Sequence, residues 1–225
     1  MPKQVTNVAV DDALTTIYRL SNDEGEEVIA ARVAERLGTK PASVAGMLSR
    51  LKRNSLVRID AKKRIHLTKM GFDRAEQMVR RHRLAECLLV DVMALDWWRA
   101  YEEAPLMEHA ISDVTAPLIV RLLGEREVSP FGYPIPGESG TTEMSRVRLS
   151  DLGAGDTGVV ERVFEEDEAL LRFFDQEGIR PTATISVREV APYLGTVTLS
   201  VTDDGFAKTE LVIGSEAARL IWIVA

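Results

Sequence analysis

The spacing of apolar positions along the chain changes several times, and each change marks a new element. Over 10–20, Ala13, Leu14, Ile17, Tyr18 and Leu20 share one stripe at helical spacing, with Asp11 and Asp12 in the first turn, where the helix dipole favours carboxylates. The polar string SNDEGEE then predicts a turn. A short amphipathic helix is expected over 28–37, closed by Gly38, and a second over 42–54, burying Val44, Met47, Leu48 and Leu51. Two short helices joined by a Gly-containing turn read as a helix-turn-helix. Residues 56–68, LVRIDAKKRIHLT, alternate apolar and polar on both sides of Asp60-Ala61-Lys62-Lys63, the pattern of a β-hairpin and so of a wing.

Helical spacing returns at Met70 and predicts a long helix to residue 95. Asp96 is expected to cap a further helix from Trp97 onward, and Asp113 another over 114–123. The apolar faces of these helices, with Leu118 and Leu122 among them, exceed what one small winged helix can cover, so homodimer pairing is expected. Trp97 and Trp98 have two readings, interface anchor or core residue. Residues 137–145, rich in Gly, Ser and Thr, read as a linker. From Val147 the period shortens to two in RVRLSDL, GDTGVVERVF, TATISVREV, GTVTLSVT, AKTELVI and ARLIWIVA, with one helix, DEALLRFFDQEG, between the second and third of these. The fold class expected is α+β and multidomain: a winged helix-turn-helix over 1–75, an all-α dimerisation and metal-binding domain over 76–136, the linker, and a small SH3-like β-barrel over 146–225.

Composition agrees with a soluble globular protein: 225 residues, 45% hydrophobic and 28% charged. No apolar run approaches the roughly 18–20 residues of a membrane span, and the N-terminus lacks a basic-then-apolar signal, so a cytoplasmic location is expected. The lone Cys87 falls on the apolar side of the central helix and reads as a buried thiol. Net charge is −7, but it is unevenly placed. Between Val28 and Arg83 stand fifteen basic residues and four acidic ones, a surplus of eleven positive charges that leaves −18 on the remainder. A basic module of this kind suits a phosphate backbone. Its candidate DNA contacts are Thr39, Lys40, Pro41, Ala42, Ser43, Ala45 and Gly46 at the outward face of the second helix, Arg50, Lys52 and Arg53 nearer the backbone, and Lys62, Lys63 and Arg64 on the wing. A merely solvated face is the alternative. Ala and Gly offer close approach and methyl contact without a hydrogen-bonding side chain, so phosphate contacts and shape should dominate affinity.

The chemistry-bearing residues cluster in 79–113. His82 and Glu86 stand one helical turn apart on one face, within reach of a single ion or as a plain solvated pair. Glu108 and His109 lie at the end of a later helical run, with Glu102 and Glu103 about one turn upstream, so two half-sites are implied. The strings RRHRLAE, MEHAISD and SPFGYPIPG (129–137) together resemble the DtxR/MntR family of metal-dependent transcriptional repressors, and the resemblance extends over nearly the whole chain.

That resemblance implies one metal site from Asp12, Glu108, His109 and position 105, and another from His82, Glu86 and their neighbours. Two positions depart from it. The family has a Cys or Glu side chain where this chain has Pro105, which offers at most its carbonyl, and many members place a second-site His where Tyr101 stands. Water or Glu102 and Glu103 then become substitutes at the first site. The C-terminal strands resemble FeoA-like domains, and Glu165, Glu166 and Asp167 ahead of their helix are expected to complete the second site or simply to start the helix. Gly46 stands where the family often has a polar base reader, which leaves the operator sequence open. Mostly hard oxygen donors suit Mn(II), with Fe(II) the alternative. The function implied is a homodimeric repressor that binds double-stranded operator DNA when metal is bound. The rivals are a winged-helix regulator without metal control and a metallo-hydrolase, for which the chain lacks HExxH or similar spacing.

Overall fold

The computed structural model describes residues 8–124, 126–137, 143–203 and 205–224, and the chain divides into two compact units, Met1–Arg81 and His82–Ala225. Residues 138–142 of the expected linker lie outside the described residues. Ser145, at its end, is tied to the sheet that follows: its Oγ donates to the Ile223 carbonyl at 2.6 Å, and its N–H to Glu161.

In the first unit, α1 (Val8–Tyr18) buries Ala13, Leu14 and Ile17 as the stripe requires. The segment expected as the end of this helix and the start of a polar turn is instead a π-helical turn, Arg19–Asp23. Ser21 Oγ donates to the carbonyls of Ile17 and Tyr18, and Glu24 N–H reaches back to Arg19 O at 3.0 Å, so the ladder widens without breaking and Leu20 is kept in the core. Helix α2 (Ala30–Arg36) starts two residues later than expected, because Ile29 is extended and the Val28 carbonyl accepts from Ile65 N–H at 2.8 Å. Helix α3 (Pro41–Arg53) places Pro41 in its first turn, where a missing N–H costs nothing. The wing pairs β1 (Val57–Ile59) with β2 (Ile65–Leu67) antiparallel, Arg58 opposite His66. Thr68 Oγ1 accepts from Gly71 N–H at 3.1 Å and so starts α4 (Lys69–Cys87). Gly71 is required there, since a Cβ would stand 1.9 Å from the Leu56 carbonyl oxygen.

The boundary between the units falls inside α4. The helix expected to run to 95 is α-helical only to Cys87. A π-helical turn, Leu88–Val92, follows, and Ala94 at φ 55° ends the run. Asp96 forms no side-chain cap, and the N-cap position of the helix expected over 114–123 is Thr115 in place of Asp113. A 3-10 turn, Trp97–Arg99, precedes α5 (Ala100–Glu108), and α6 (Ala116–Leu123) is led in by Ser112 and Thr115, whose hydroxyls bond each other's backbone N–H groups. Trp97 takes the core reading: it is buried, donates to the Pro130 carbonyl at 2.8 Å and tilts against Phe131. Gly132 is needed at φ 92°, since a Cβ would meet the Glu161 carbonyl oxygen at 2.0 Å. The PFGYP turn therefore lies flush on the sheet.

That sheet is antiparallel with order β6-β5-β4-β3-β7, formed by β3 (Thr157–Val163), β4 (Thr184–Ala191), β5 (Thr196–Asp203), β6 (Phe206–Gly214) and β7 (Ile221–Val224). Register shifts in three of its four ladders mark bulges, which curl a small sheet. Helix α7 (Glu168–Gln176) covers it with Leu171 and Phe174, and α8 (Ser215–Ala218) connects β6 to β7. The RVRLSDL strand is not formed: Asp151 Oδ2 accepts from Arg148 N–H and draws Leu149–Asp151 into a 3-10 turn, leaving one bridge, Arg148 to Trp222.

Candidate metal centre and nucleic-acid interface

Helix α4 delivers His82 and Glu86 to one face, as the four-residue spacing requires, and both are buried, at 3% and 0% exposure. The third member comes from the segment between β3 and α7. Glu165 stands two residues past the end of β3 and is itself only 3% exposed. His82, Glu86 and Glu165 each offer a ligand atom within 4.8 Å of the others, and they are the one such group of three among the described residues.

The electrostatics of this cluster point to a cation. His82 Nε2 lies 3.0 Å from Glu86 Oε1, yet neither Glu86 oxygen has a hydrogen-bond partner among the described residues. The other ring nitrogen, Nδ1, stands 2.6 Å from Glu108 Oε2, and Glu108 Oε1 is 3.5 Å from His109 Nε2. His82 thus has a carboxylate beside each ring nitrogen and Glu165 within 4.8 Å, all of them buried, and carboxylates buried together favour a bound cation. Two carboxylates and one imidazole are hard to borderline donors and fit a divalent first-row ion. The Tyr101 ring packs tilted against the His82 ring at 5.5 Å. Beside the cluster, burial, followed by the Glu86 charge, pushes the Cys87 thiol up to about 12, so it stays a protonated core residue.

The other expected ligands are not members of this group of three. Glu102 and Pro105 are exposed on α5 and Glu103 is half-buried. Asp167 takes the helix-start role, its Oδ1 accepting from Leu170 N–H at 2.9 Å, and half-buried Glu166 precedes it. Asp12 belongs to the first unit and is exposed. It lines an open cleft of about 300 Å³ together with Thr39, Ser43, Met47 and Arg50. Its neighbour Asp11 is buried and takes the Arg74 guanidinium at 2.7 Å. The His82–Glu108 bond has no signal in spacing, because the two residues stand 26 positions apart on different helices.

In the first unit, α3 buries Val44, Leu48 and Leu51 and exposes Pro41, Ala42, Ser43, Ala45, Gly46 and Arg50, with Lys40 exposed just before it and Thr39 half-buried. At the wing tip, Asp60 accepts from the N–H groups of Lys62 and Arg64 and from Arg64 Nε, which leaves Lys62 and Lys63 outward. These bonds, first the Arg64 backbone donor, hold the Asp60 carboxyl well below the usual carboxylate range. Arg64 also reaches Glu27 at 3.1 Å, so its guanidinium is engaged within the unit.

A helix-turn-helix with an exposed second helix and basic wing, joined to a unit holding a buried carboxylate–imidazole centre, defines a metal-responsive DNA-binding regulator. Residues 7–65 match the N-terminal DNA-binding domain of iron-dependent repressors, 68–137 their metal-binding and dimerisation domain, and 147–225 the FeoA domain. The chain is 37% identical over 187 residues to the iron-dependent repressor IdeR of Mycobacterium tuberculosis, covering 77% of this chain and 81% of that one. It is 36% identical over 144 residues to the diphtheria toxin repressor of Corynebacterium diphtheriae, covering 64% and 58%. Among solved structures, a manganese-dependent transcriptional repressor in complex with manganese aligns with a TM-score of 0.85 at 31% identity, over 96% of this chain and 99% of that chain. The chain belongs to the iron-dependent repressor family. It is a metal-dependent, DNA-binding transcriptional repressor and not an enzyme.

Proposed function

We propose that this repressor senses Mn(II), with Fe(II) as the competing ion, through a buried centre of His82, Glu86 and Glu165, and that it represses metal-homeostasis genes from the cytoplasm as a homodimer. The observation that carries the assignment is Glu86, fully buried with both carboxylate oxygens lacking a hydrogen-bond donor among the described residues. A bound divalent ion supplies the missing positive charge at those oxygens. His82 and Glu86 hold one side of the centre from α4, and Glu165 holds the other from the β3–α7 segment, so a filled centre fastens that segment to the end of α4. Oxygen-rich donors favour Mn(II) and Fe(II) by type, although raw affinity still ranks Co, Ni and Zn higher in vitro. If the DNA-competent arrangement binds the ion more tightly, the ion must shift the population toward it.

Leu118 and Leu122 on α6, 53% and 61% exposed, form the apolar face that supports self-pairing. Operator contact is assigned to Thr39, Lys40, Pro41, Ala42, Ser43, Gly46 and Arg50, and to the wing residues Lys62 and Lys63, with Arg64 engaged inside the wing. The Glu108–His109 end of α5 is assigned to the first ion of the family pattern. The test is calorimetric Mn(II) titration of metal-free protein, with binding to duplexes selected from a random library measured in Mn(II) and in chelator. His82→Ala is expected to lose one bound ion per chain, and wild-type affinity for the selected duplex to collapse in chelator. Equal duplex affinity in both conditions would remove the metal switch.

A further inference from the structure

We propose that Glu108 is a positioning residue for the buried centre: it fixes which nitrogen of His82 faces the ion. The inference rests on the assignment of His82, Glu86 and Glu165 as that centre. A neutral imidazole has one N–H and one lone pair, and only the lone pair binds a metal, so the proton must be kept on the other nitrogen. His82 presents Nε2 to Glu86 at 3.0 Å and Nδ1 to Glu108 Oε2 at 2.6 Å, both within a buried environment. The short Nδ1 contact makes Glu108 the acceptor of the ring proton and leaves Nε2 toward Glu86 and Glu165.

Helix spacing alone cannot do this. The last torsion of a histidine is broad and roughly two-fold, so a position on α4 brings the ring to the site without choosing its face. A carboxylate at Nδ1 chooses it, and by accepting the proton it also makes Nε2 a stronger donor to a cation. Glu108 is buried at the end of α5, on a different helix from His82, so the choice is imposed by tertiary packing. The consequence concerns the role the family resemblance gives Glu108 as a ligand of a first ion. One of its oxygens is already committed to His82, and Oε1, near His109, is the atom left for another ion.

The test uses the full-length chain in a His109→Ala background, so that any ion depending on His109 is absent. Zn(II) and Mn(II) affinities are measured by competition titration, and the nitrogen-15 shifts of the His82 ring are read in the Zn(II) form. Glu108→Ala is expected to weaken the buried centre by about 10- to 100-fold, the usual effect of losing an outer partner of a metal-bound histidine. Glu108→Gln, which keeps an acceptor oxygen and the side-chain shape, is expected to recover most of that loss. The ring shifts are expected to show Zn(II) on Nε2 and a proton on Nδ1, a signature that a merely structural role would not produce. An ion lost in His82→Ala but bound with unchanged affinity in Glu108→Ala would overturn this inference alone, as would Zn(II) on Nδ1. Unchanged metal content in His82→Ala would overturn the centre and the inference together.

Discussion

Replacing Glu86 with glutamine should reverse the stability order of variant and wild type according to whether metal is present. Glu86 is fully buried, has no hydrogen-bond donor at either oxygen among the described residues, shares the His82 imidazole with Glu108, and lies within 4.8 Å of a ligand atom of Glu165. Without an ion, its charge is desolvated and incompletely compensated, a situation that costs about 1–3 kcal/mol for an unsatisfied polar group and more when it is charged. The Glu86→Gln change keeps the volume and discards the charge. In chelator the variant is therefore expected to be more stable by about 1–3 kcal/mol, which for a unit of this size raises the melting temperature by roughly 2–4 °C per kcal/mol. With ion at a thousand times its dissociation constant, wild type gains about 4.1 kcal/mol from binding and the variant gains little. The melting order should thus cross between the two conditions. The assay is differential scanning calorimetry of both proteins in chelator and across a Mn(II) series, with reversibility checked by rescanning. A variant that melts below wild type in chelator would show that Glu86 is already compensated without metal, and the argument from its buried charge would fail.

Three further outcomes are expected. Gly46→Ala should stabilise the first unit by about 1 kcal/mol in thermal unfolding, because an added Cβ meets nothing within 4 Å, and should weaken binding to a selected duplex if the helix approaches bases closely; no gain in stability would contradict the open surroundings of that position. The Asp60 carboxyl, held below its ordinary 3.8 by the Arg64 backbone donor and guanidinium, contributes wing stability that is fully present above that pH and lost as pH falls through the lowered folded value; amide spectra of Lys62 and Arg64 should show a midpoint below 3.8, and a midpoint at the ordinary value would refute it. Pro105→Glu puts a carboxylate three and four residues before Glu108 and His109 on α5 and should tighten Mn(II) binding there; a titration matching wild type, with α5 unchanged crystallographically, would place position 105 outside any coordination sphere.

Much of the architecture is legible in the apolar period, because helix and strand burial are local consequences of it. The α3 face, the alternating wing and the one-turn separation of His82 and Glu86 all follow from counting residues. The departures have specific causes. Arg19–Asp23 widens into a π turn through Ser21 hydroxyl bonds that a periodicity does not register. Leu149–Asp151 alternates like a strand, yet the Asp151 carboxylate closes it into a turn. Among the acids before α7, Glu165 is buried while Asp167 is taken as the helix cap, a division that composition does not show. The partner of His82 at Nδ1 is legible in no linear pattern, since α4 and α5 meet only in the folded chain.

The enclosure of the centre also bears on time. All three residues of the proposed centre are at 3% exposure or less, and they come from segments nearly eighty positions apart, so an ion held there would not leave by simple exchange with passing water. Under that proposal, departure would wait for the β3–α7 segment to part from the end of α4, and its rate would be that of a local opening and not of diffusion. A protein whose ion is released on that schedule keeps a record of recent metal supply. Repression would outlast a brief fall in the ion, and transcription would follow the average concentration over the opening time in place of its momentary value.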